Sequence, residues 1–466
     1  MFYKKGRSKY EQTQQKINEF EMGAVIMVNV AAIYSTLGNP NSLIPLLVKD
    51  SAQTVGMTTG SMLTGKEEGH DRLIDEVGTE FIWLCAIPEF KKLYNSTIYK
   101  AFKLDSEFDV RNFKDKEIFK KIKDFAPTDD IKKNIEKLGK KEALGKNLAL
   151  YRFFFSTGMA IASYIGLTKA KQIYTENKIK KNLIAVYNAK KAKENNNNSA
   201  KNNEEPTFKG VGDVVKNFAF SPVKNMWILD GAITTERLVD SRTPQEFAGY
   251  AIKEASILCF LYYAGGKIQK ALESRAEKKH NKNIALDARV IENGNLQKSF
   301  ENGSVKKSLE SFKAVIDSKD VDLYEFIHKN SENDIIKAAK ESHIISMYEK
   351  PKKWYEIFKN TEYTDKIDTR KYLDLDEVKD VYKNIEKLYS QYTDALKSGE
   401  TSENFFKQVK KLKRGSIITN IGTCMFALGV VTPAIMVAKR LIGKDDAEFQ
   451  TKKEIRKQLI KEGIIA

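Results

Sequence analysis

Residues 415–438 read GSIITNIGTCMFALGVVTPAIMVA, 24 consecutive positions without a charge. At ~1.5 Å rise per residue this is ~36 Å of helix, enough to cross a hydrocarbon core of about 30 Å. Lys410, Lys411, Lys413 and Arg414 precede the run, and Lys439 and Arg440 follow it. Such side chains bury their stems and hold their charges in the headgroup layer. Pro433 is compatible with a membrane helix where neighbours satisfy the freed carbonyl. The run therefore predicts a transmembrane helix.

A second run of the same kind precedes it. Residues 149–168, ALYRFFFSTGMAIASYIGLT, carry one charge, Arg152, near one end beside Tyr151, where an interface places such side chains. Residues 22–48 are uncharged, but Gly38-Asn39-Pro40-Asn41 splits them into an apolar helix over 22–37, a turn and a short apolar stretch, 43–48. Residues 247–266 hold Lys253 and Glu254, each costing ~2.5–3.5 kcal/mol at a helix centre. That segment reads as interfacial, or as buried in protein, unless the two charges are paired. Small residues recur at Gly158, Ala162 and Gly166 and at Gly415, Gly422 and Gly429. Smooth stripes of this kind let helices approach closely in lipid, so 149–168 is expected to pack beside 415–438.

The whole chain has 466 residues, 41% apolar and 30% charged. Three cysteines exclude a disulfide-stapled fold. Four scattered histidines exclude a His-based metal site, and no cofactor is expected. The formal charge of +17 invites a nucleic-acid reading, but only 12 of the 79 basic residues are Arg, the side chain that reads guanine bidentately. Basic and acidic residues are also interspersed. Nucleic acid is not an expected partner; membrane lipids are, and a protein partner is a further expectation. A Lys-rich stretch suits an anionic membrane surface.

Outside the apolar runs the sequence reads as helical. In 378–396, Val378, Val381, Tyr382, Ile385, Leu388, Tyr389 and Tyr392 follow the 3–4–7 spacing of an amphipathic helix. Asp374, Asp376 and Glu377 stand at its N-terminal end, where the helix dipole favours them. Shorter versions occur at 308–316, 320–328, 333–347 and 404–412, and no long alternating strand run appears. The expected fold class is mainly α: two to four membrane-associated helices plus a helical soluble domain. The expected divisions are a basic N-terminal segment with an apolar anchor (1–48), a polar helical region (49–148) and a transmembrane helix (149–168). A basic linker with the Asn195–Asn198 stretch (169–210) and a second apolar helix (211–266) follow. The soluble domain (267–414), a transmembrane helix (415–438) and a basic tail (439–466) complete the chain. The polar 189–209 stretch is expected to be mobile.

Two short motifs match. Asp71-Arg72-Leu73-Ile74-Asp75 resembles Glu236-Arg237-Leu238-Val239-Asp240, and Glu80-Phe81 and Glu246-Phe247 follow each at nearly equal spacing. A true repeat would pair each motif with a membrane segment, as in transporters. Gly60 to Lys66 fits the start of a phosphate-binding loop, but Glu67 and Glu68 follow where Ser or Thr belongs. A surface loop is the better reading. Asp317, Asp320, Asp322 and Glu325 lack the central Gly of a calcium loop. No nucleophile motif stands out, so no catalytic residue is assigned.

The densest polar cluster beside an apolar segment is Glu236, Arg237, Asp240, Arg242, Lys253 and Glu254. These residues line a polar site at membrane depth on one reading. On the other, Thr243-Pro244-Gln245-Glu246 is a helix start surrounded by surface ion pairs. A non-enzymatic membrane interaction or scaffold protein is the leading expectation. A small transporter or channel is the alternative, and a soluble all-α protein the second alternative. Burial of this cluster among helices separates transport from scaffold. The eight Lys against one Glu in 169–193 place that segment in the cytoplasm of a bacterium, at its plasma membrane, and 49–148 outside. The acidic residues before the first apolar run favour an uncleaved anchor.

Overall fold

The computed structural model describes residues 33–38, 42–64, 66–191, 222–239, 241, 244–318, 322–349, 363–443 and 447–465. Among them the helices of twelve residues or more are, in chain order, α1 (Ile44–Thr64), α2 (Lys66–Tyr94), α3 (Glu142–Lys191), α4 (Pro222–Val239), α5 (Pro244–Ile257), α6 (Gly265–His280), α7 (Ser304–Asp317), α8 (Leu375–Lys397), α9 (Ser402–Phe426), α10 (Thr432–Gly443) and α11 (Ala447–Lys461). The fold is mainly α. One unit comprises Arg111–Ile135 and Ile268–Asn420 with the described residues up to Pro45; the other comprises Leu46–Val110, Glu136–Lys267 and Ile421–Ala466. The region 49–148, read from sequence as one piece, is thus divided between the two.

The first unit is a helical domain built on amphipathic helices. In α8 the predicted face is buried at Val378, Val381, Tyr382, Ile385, Leu388 and Tyr392. The helix starts where Asp374 accepts hydrogen bonds from the amides of Asp376 and Glu377, filling two otherwise orphaned donors. Phe312 of α7 stacks on Tyr382 with centroids 5.3 Å apart. Phe300 meets Tyr389, Tyr392 and Phe406 edge-on, each at 5.3 Å. Asn112 reaches the carbonyl of Arg370 at 3.2 Å and so fastens the 111–135 piece to the rest of the unit. Of the carboxylates around 317–325, Asp322 serves as a cap: it accepts from the Glu325 amide at 2.9 Å and starts the helix Leu323–Lys329. The helix expected over 333–347 stops at Glu341. Strand β1 (Met347–Glu349) follows and pairs antiparallel with β2 (Tyr363–Ile367), Met347 opposite Ile367.

Within this unit His328 lies between Phe125 and Tyr324, with centroids 4.5 and 4.6 Å away. Burial against these rings lowers its pKa to about 4, below the ~6.5 of a free imidazole. The unfolded chain therefore binds the proton first as pH falls. Stability is unaffected above the free value, declines between pH ~6.5 and ~4, and loses at most about 3 kcal/mol in all. Hydrogen exchange of the amides in Leu323–Lys329 should accelerate across this window, and His328→Gln should abolish the acceleration.

The second unit buries charged groups beside an apolar core that includes Trp83, Ile87, Met226 and Leu229. On α2, Asp75 and Glu76 are buried while the adjoining Leu73, Ile74 and Val77 are exposed, as is Phe81 at 67%. On α1, Gln53 is 1% exposed and Val55 67%. Among the described residues two helices are long and apolar enough to cross a membrane, Glu142–Ala185 and Ser402–Lys439. The 50 residues of α3 extend ~75 Å, so the helix continues without a break into the Lys-rich 169–191 stretch that the sequence reads as linker. Residues 192–209 lie outside the described residues, as do 22–32 of the N-terminal apolar run. The stretch 43–48 is not a separate piece, because α1 begins at Ile44. Gly60 to Thr64 is likewise helical, which removes the loop expected there. Ile455, Leu459 and Ile465 of the tail close over Ile179, with Leu183, Ile184 and Tyr187 packed against them.

The glycine stripes do not pair α3 with α9. A Cβ built on Gly158, Gly166, Gly415 or Gly422 meets nothing within 4 Å, and Ala162 is exposed. Only Gly429 makes a close approach, and its partner is α1. A Cβ on Gly429 would lie 2.7 Å from the Ala52 carbonyl oxygen, and one on Gly56 would lie 2.1 Å from that of Gly429. Small residues at this single crossing let two backbones touch. Gly56→Leu should lower the melting temperature of the detergent-solubilised protein by several degrees, whereas Gly158→Leu and Gly422→Leu should leave it unchanged.

Candidate functional site

The interior of the second unit holds a network of charges. α4 presents Arg237, 3% exposed, between two carboxylates. Its Nη2 lies 3.2 Å from Asp75 Oδ2 of α2, and its Nη1 bonds Glu254 of α5. Its Nε donates to the Tyr164 hydroxyl of α3 at 2.6 Å, and Nη2 donates to Thr79 Oγ1 at 3.1 Å. Four helices therefore meet on one guanidinium. Lys171 of α3 stands 3.3 Å from the other oxygen of Asp75. Lys253 donates to both oxygens of Glu76, at 2.6 and 2.7 Å, and lies 3.8 Å from Glu254. Arg72 is 3.8 Å from Glu76.

The local sequence explains this convergence. Asp75, Glu76 and Thr79 fall at i, i+1 and i+4 on one face of α2, and Lys253 and Glu254 are adjacent on α5. Apolar residues fill the opposite faces, so inward rotation of the charges is the arrangement that exposes those faces. Polar groups continue the network: Thr54 donates to Glu80 at 2.7 Å, Thr234 to Glu254 at 3.2 Å, and the Tyr262 hydroxyl to Asp230. Lys253 and Glu254, costly if isolated, are thus both paired.

Of the six residues expected at this site, Arg237, Lys253 and Glu254 share the network, and Glu236 is buried close by at 7% exposure. Asp240 and Arg242 lie outside the described residues, as does the Thr243 cap; α5 does begin at Pro244. Sequence reasoning missed Asp75 and Glu76, although the motif match contained the signal. Arg237 of the second motif bonds Asp75, the last residue of the first. Lys171 carried no signal, because it sits in a run of surface-like lysines. Among the described residues no cluster of His, Cys, Asp and Glu is arranged to hold a metal, and the network has no nucleophile–base pair. Its chemistry is charge pairing.

Removing one member of a buried ion pair leaves its partner charged in an apolar interior, at about 3–5 kcal/mol. Arg237→Ala strands both Asp75 and Glu254, so it should be the most damaging single truncation here. Arg237→Met combined with Asp75→Asn and Glu254→Gln should recover most of that loss. Thermal unfolding in detergent of the single and triple variants measures both. No protein-family model, curated protein or solved structure matches the chain.

Proposed function

We propose that the chain is an integral membrane protein of the transporter or channel class, in which the Arg237 network latches the closed bundle. The observation that carries this reading is that the second unit buries Asp75, Glu76, Arg237, Lys253 and Glu254 in its interior while exposing many large apolar side chains. Water drives charged groups to the surface; an apolar solvent reverses the preference. The exposed Val55, Phe81, Met159, Phe426 and Ile435 weigh against a soluble protein that buries its apolar segments. From sequence alone an interaction or scaffold role leads. Burial of Glu236, Arg237, Lys253 and Glu254 favours transport, because a transporter needs this cluster among its helices whereas a scaffold can leave it in solvent. A non-catalytic role fits the same network.

Depth adds to the argument. Thr54, which bonds Glu80, stands next to the Gly56–Gly429 crossing, near the middle of 415–438. Asp75 meets Lys171, just beyond the end of 149–168. The polar track therefore runs from mid-membrane to one boundary. That boundary is the cytoplasmic face of a bacterial plasma membrane if 169–193 follows the positive-inside rule. Because α11 packs on Ile179, the basic tail belongs on the same side. α1 and α2 lie along the spans, at Gly429 and Leu167, so residues 49–94 are assigned to the membrane bundle and not to an outside region.

The test combines location with flux. The protein should resist alkaline carbonate extraction, and cysteines placed at 190 and 457 should both be shielded from an impermeant reagent outside intact cells. In proteoliposomes loaded with a pH-sensitive dye, Arg237→Ala should change the dissipation of an imposed ion gradient severalfold relative to the parent protein. Equal behaviour of the parent protein, the variant and empty vesicles would favour the scaffold reading.

A further inference from the structure

A groove of about 500 Å³ lies in the first unit between α6 and α9. One face of α6 supplies Leu272, Arg275, Ala276 and Lys279, at i, i+3, i+4 and i+7, followed by His280 at its end. One face of α9 supplies Gln408, Lys411, Leu412, Gly415, Ser416 and Thr419 at the same spacings. Apolar side chains and the bare backbone at Gly415 form the floor. Arg275, Lys279, Lys411 and His280 form an exposed rim.

The charges on this rim have no counter-charge among the described residues. The acids on α6 are turned to other partners: Glu273 binds Lys413 at 2.9 Å, and Glu277 binds Lys387 at 2.5 Å. Among the described residues none of Arg275, Lys279 and Lys411 forms an ion pair. Clustered like charges repel, so the chain gains from an anion placed among them. The α9 side of the groove also crosses the start of the 415–438 run: Lys411 precedes it by one turn, and Gly415, Ser416 and Thr419 form its first turns. A cationic rim over an apolar floor at that level complements a molecule with an anionic head and an apolar tail.

We propose that this groove binds an anionic phospholipid, its phosphate held by Arg275, Lys279 and Lys411 and one acyl chain lying over Leu272, Leu412 and Gly415. The proposal rests on the membrane reading above. Clustered cations at the end of a membrane helix attract an anionic head group more strongly than a zwitterionic one. Gly415 matters here for the space it leaves: a Cβ at that position meets nothing within 4 Å, so a larger side chain fills the groove without disturbing the helices.

The test uses the full-length protein in detergent with added dioleoylphosphatidylglycerol, dioleoylphosphatidylcholine or inorganic phosphate, and reads bound lipid by native mass spectrometry. Phosphatidylglycerol should bind about tenfold or more tightly than phosphatidylcholine, as expected when several cations each contribute a few-fold. The combined variant R275Q/K279Q/K411Q should reduce that preference to within about twofold. Gly415→Leu should weaken phosphatidylglycerol and leave the effect of inorganic phosphate unchanged, and it keeps the test open if the triple variant fails to fold. Equal binding of both lipids, preference retained in the triple variant, or full competition by millimolar phosphate would overturn the lipid site. Carbonate extraction reports on the membrane reading separately: a protein that resists extraction but shows no lipid preference refutes this proposal alone.

Discussion

One guanidinium organises the second unit. Arg237 reaches Asp75, Thr79, Tyr164 and Glu254, side chains borne by three other helices. Arg suits this position because its planar fork offers five donors in fixed directions and does not lose its proton. A lysine would supply one point of charge and could not bridge two carboxylates while also meeting a phenol. Two acids on different helices are held apart by the cation between them, and none of the four helices can rotate alone without leaving a charge unpaired. The network therefore fixes helix rotation in a bundle that exposes many apolar side chains.

The two units place the same amino acids differently. In the first, Phe312, Tyr382, Phe300 and Phe405 fill the centre. In the second, Trp83, Ile87, Met226 and Leu229 are buried beside Asp75, Glu76, Arg237, Lys253 and Glu254, while many other large apolar side chains are exposed. Chain-wide averages blur these two patterns, which is why composition alone reads as an ordinary soluble protein. Ion pairs that would be worth little at a wet surface become strong restraints on conformation once water is excluded.

How much of this was legible in the sequence depends on the range of the cause. Local causes read well. The 3–4–7 spacing of α8, its cap at Asp374 and the charge-free run 415–438 each follow from neighbours a few residues apart. Non-local causes did not. Gly158 and Gly422 look like packing stripes, but spacing alone names no partner, and the true close approach joins Gly429 to a glycine on α1 nearly 400 residues away. The end of the helix at Glu341 and the short β pair depend on tertiary pairing that periodicity does not encode. The motif match held more than a repeat: one copy's arginine is the other copy's counter-ion.

The first unit is discontinuous, and this bears on how the chain is made. Residues 111–135 emerge from the ribosome before the 132 residues 136–267 that belong to the other unit. At ~5–20 residues per second that interval is roughly 7–26 s. Until 268–420 follow, Phe113, Phe119, Phe125 and Ile131 have no completed core to enter, although isolated helices of this length are marginal in water. Residues 149–168 are thus made before the first unit can be completed. The order of synthesis gives an early, sticky segment a long wait, and makes it a natural site for chaperone holding during biogenesis.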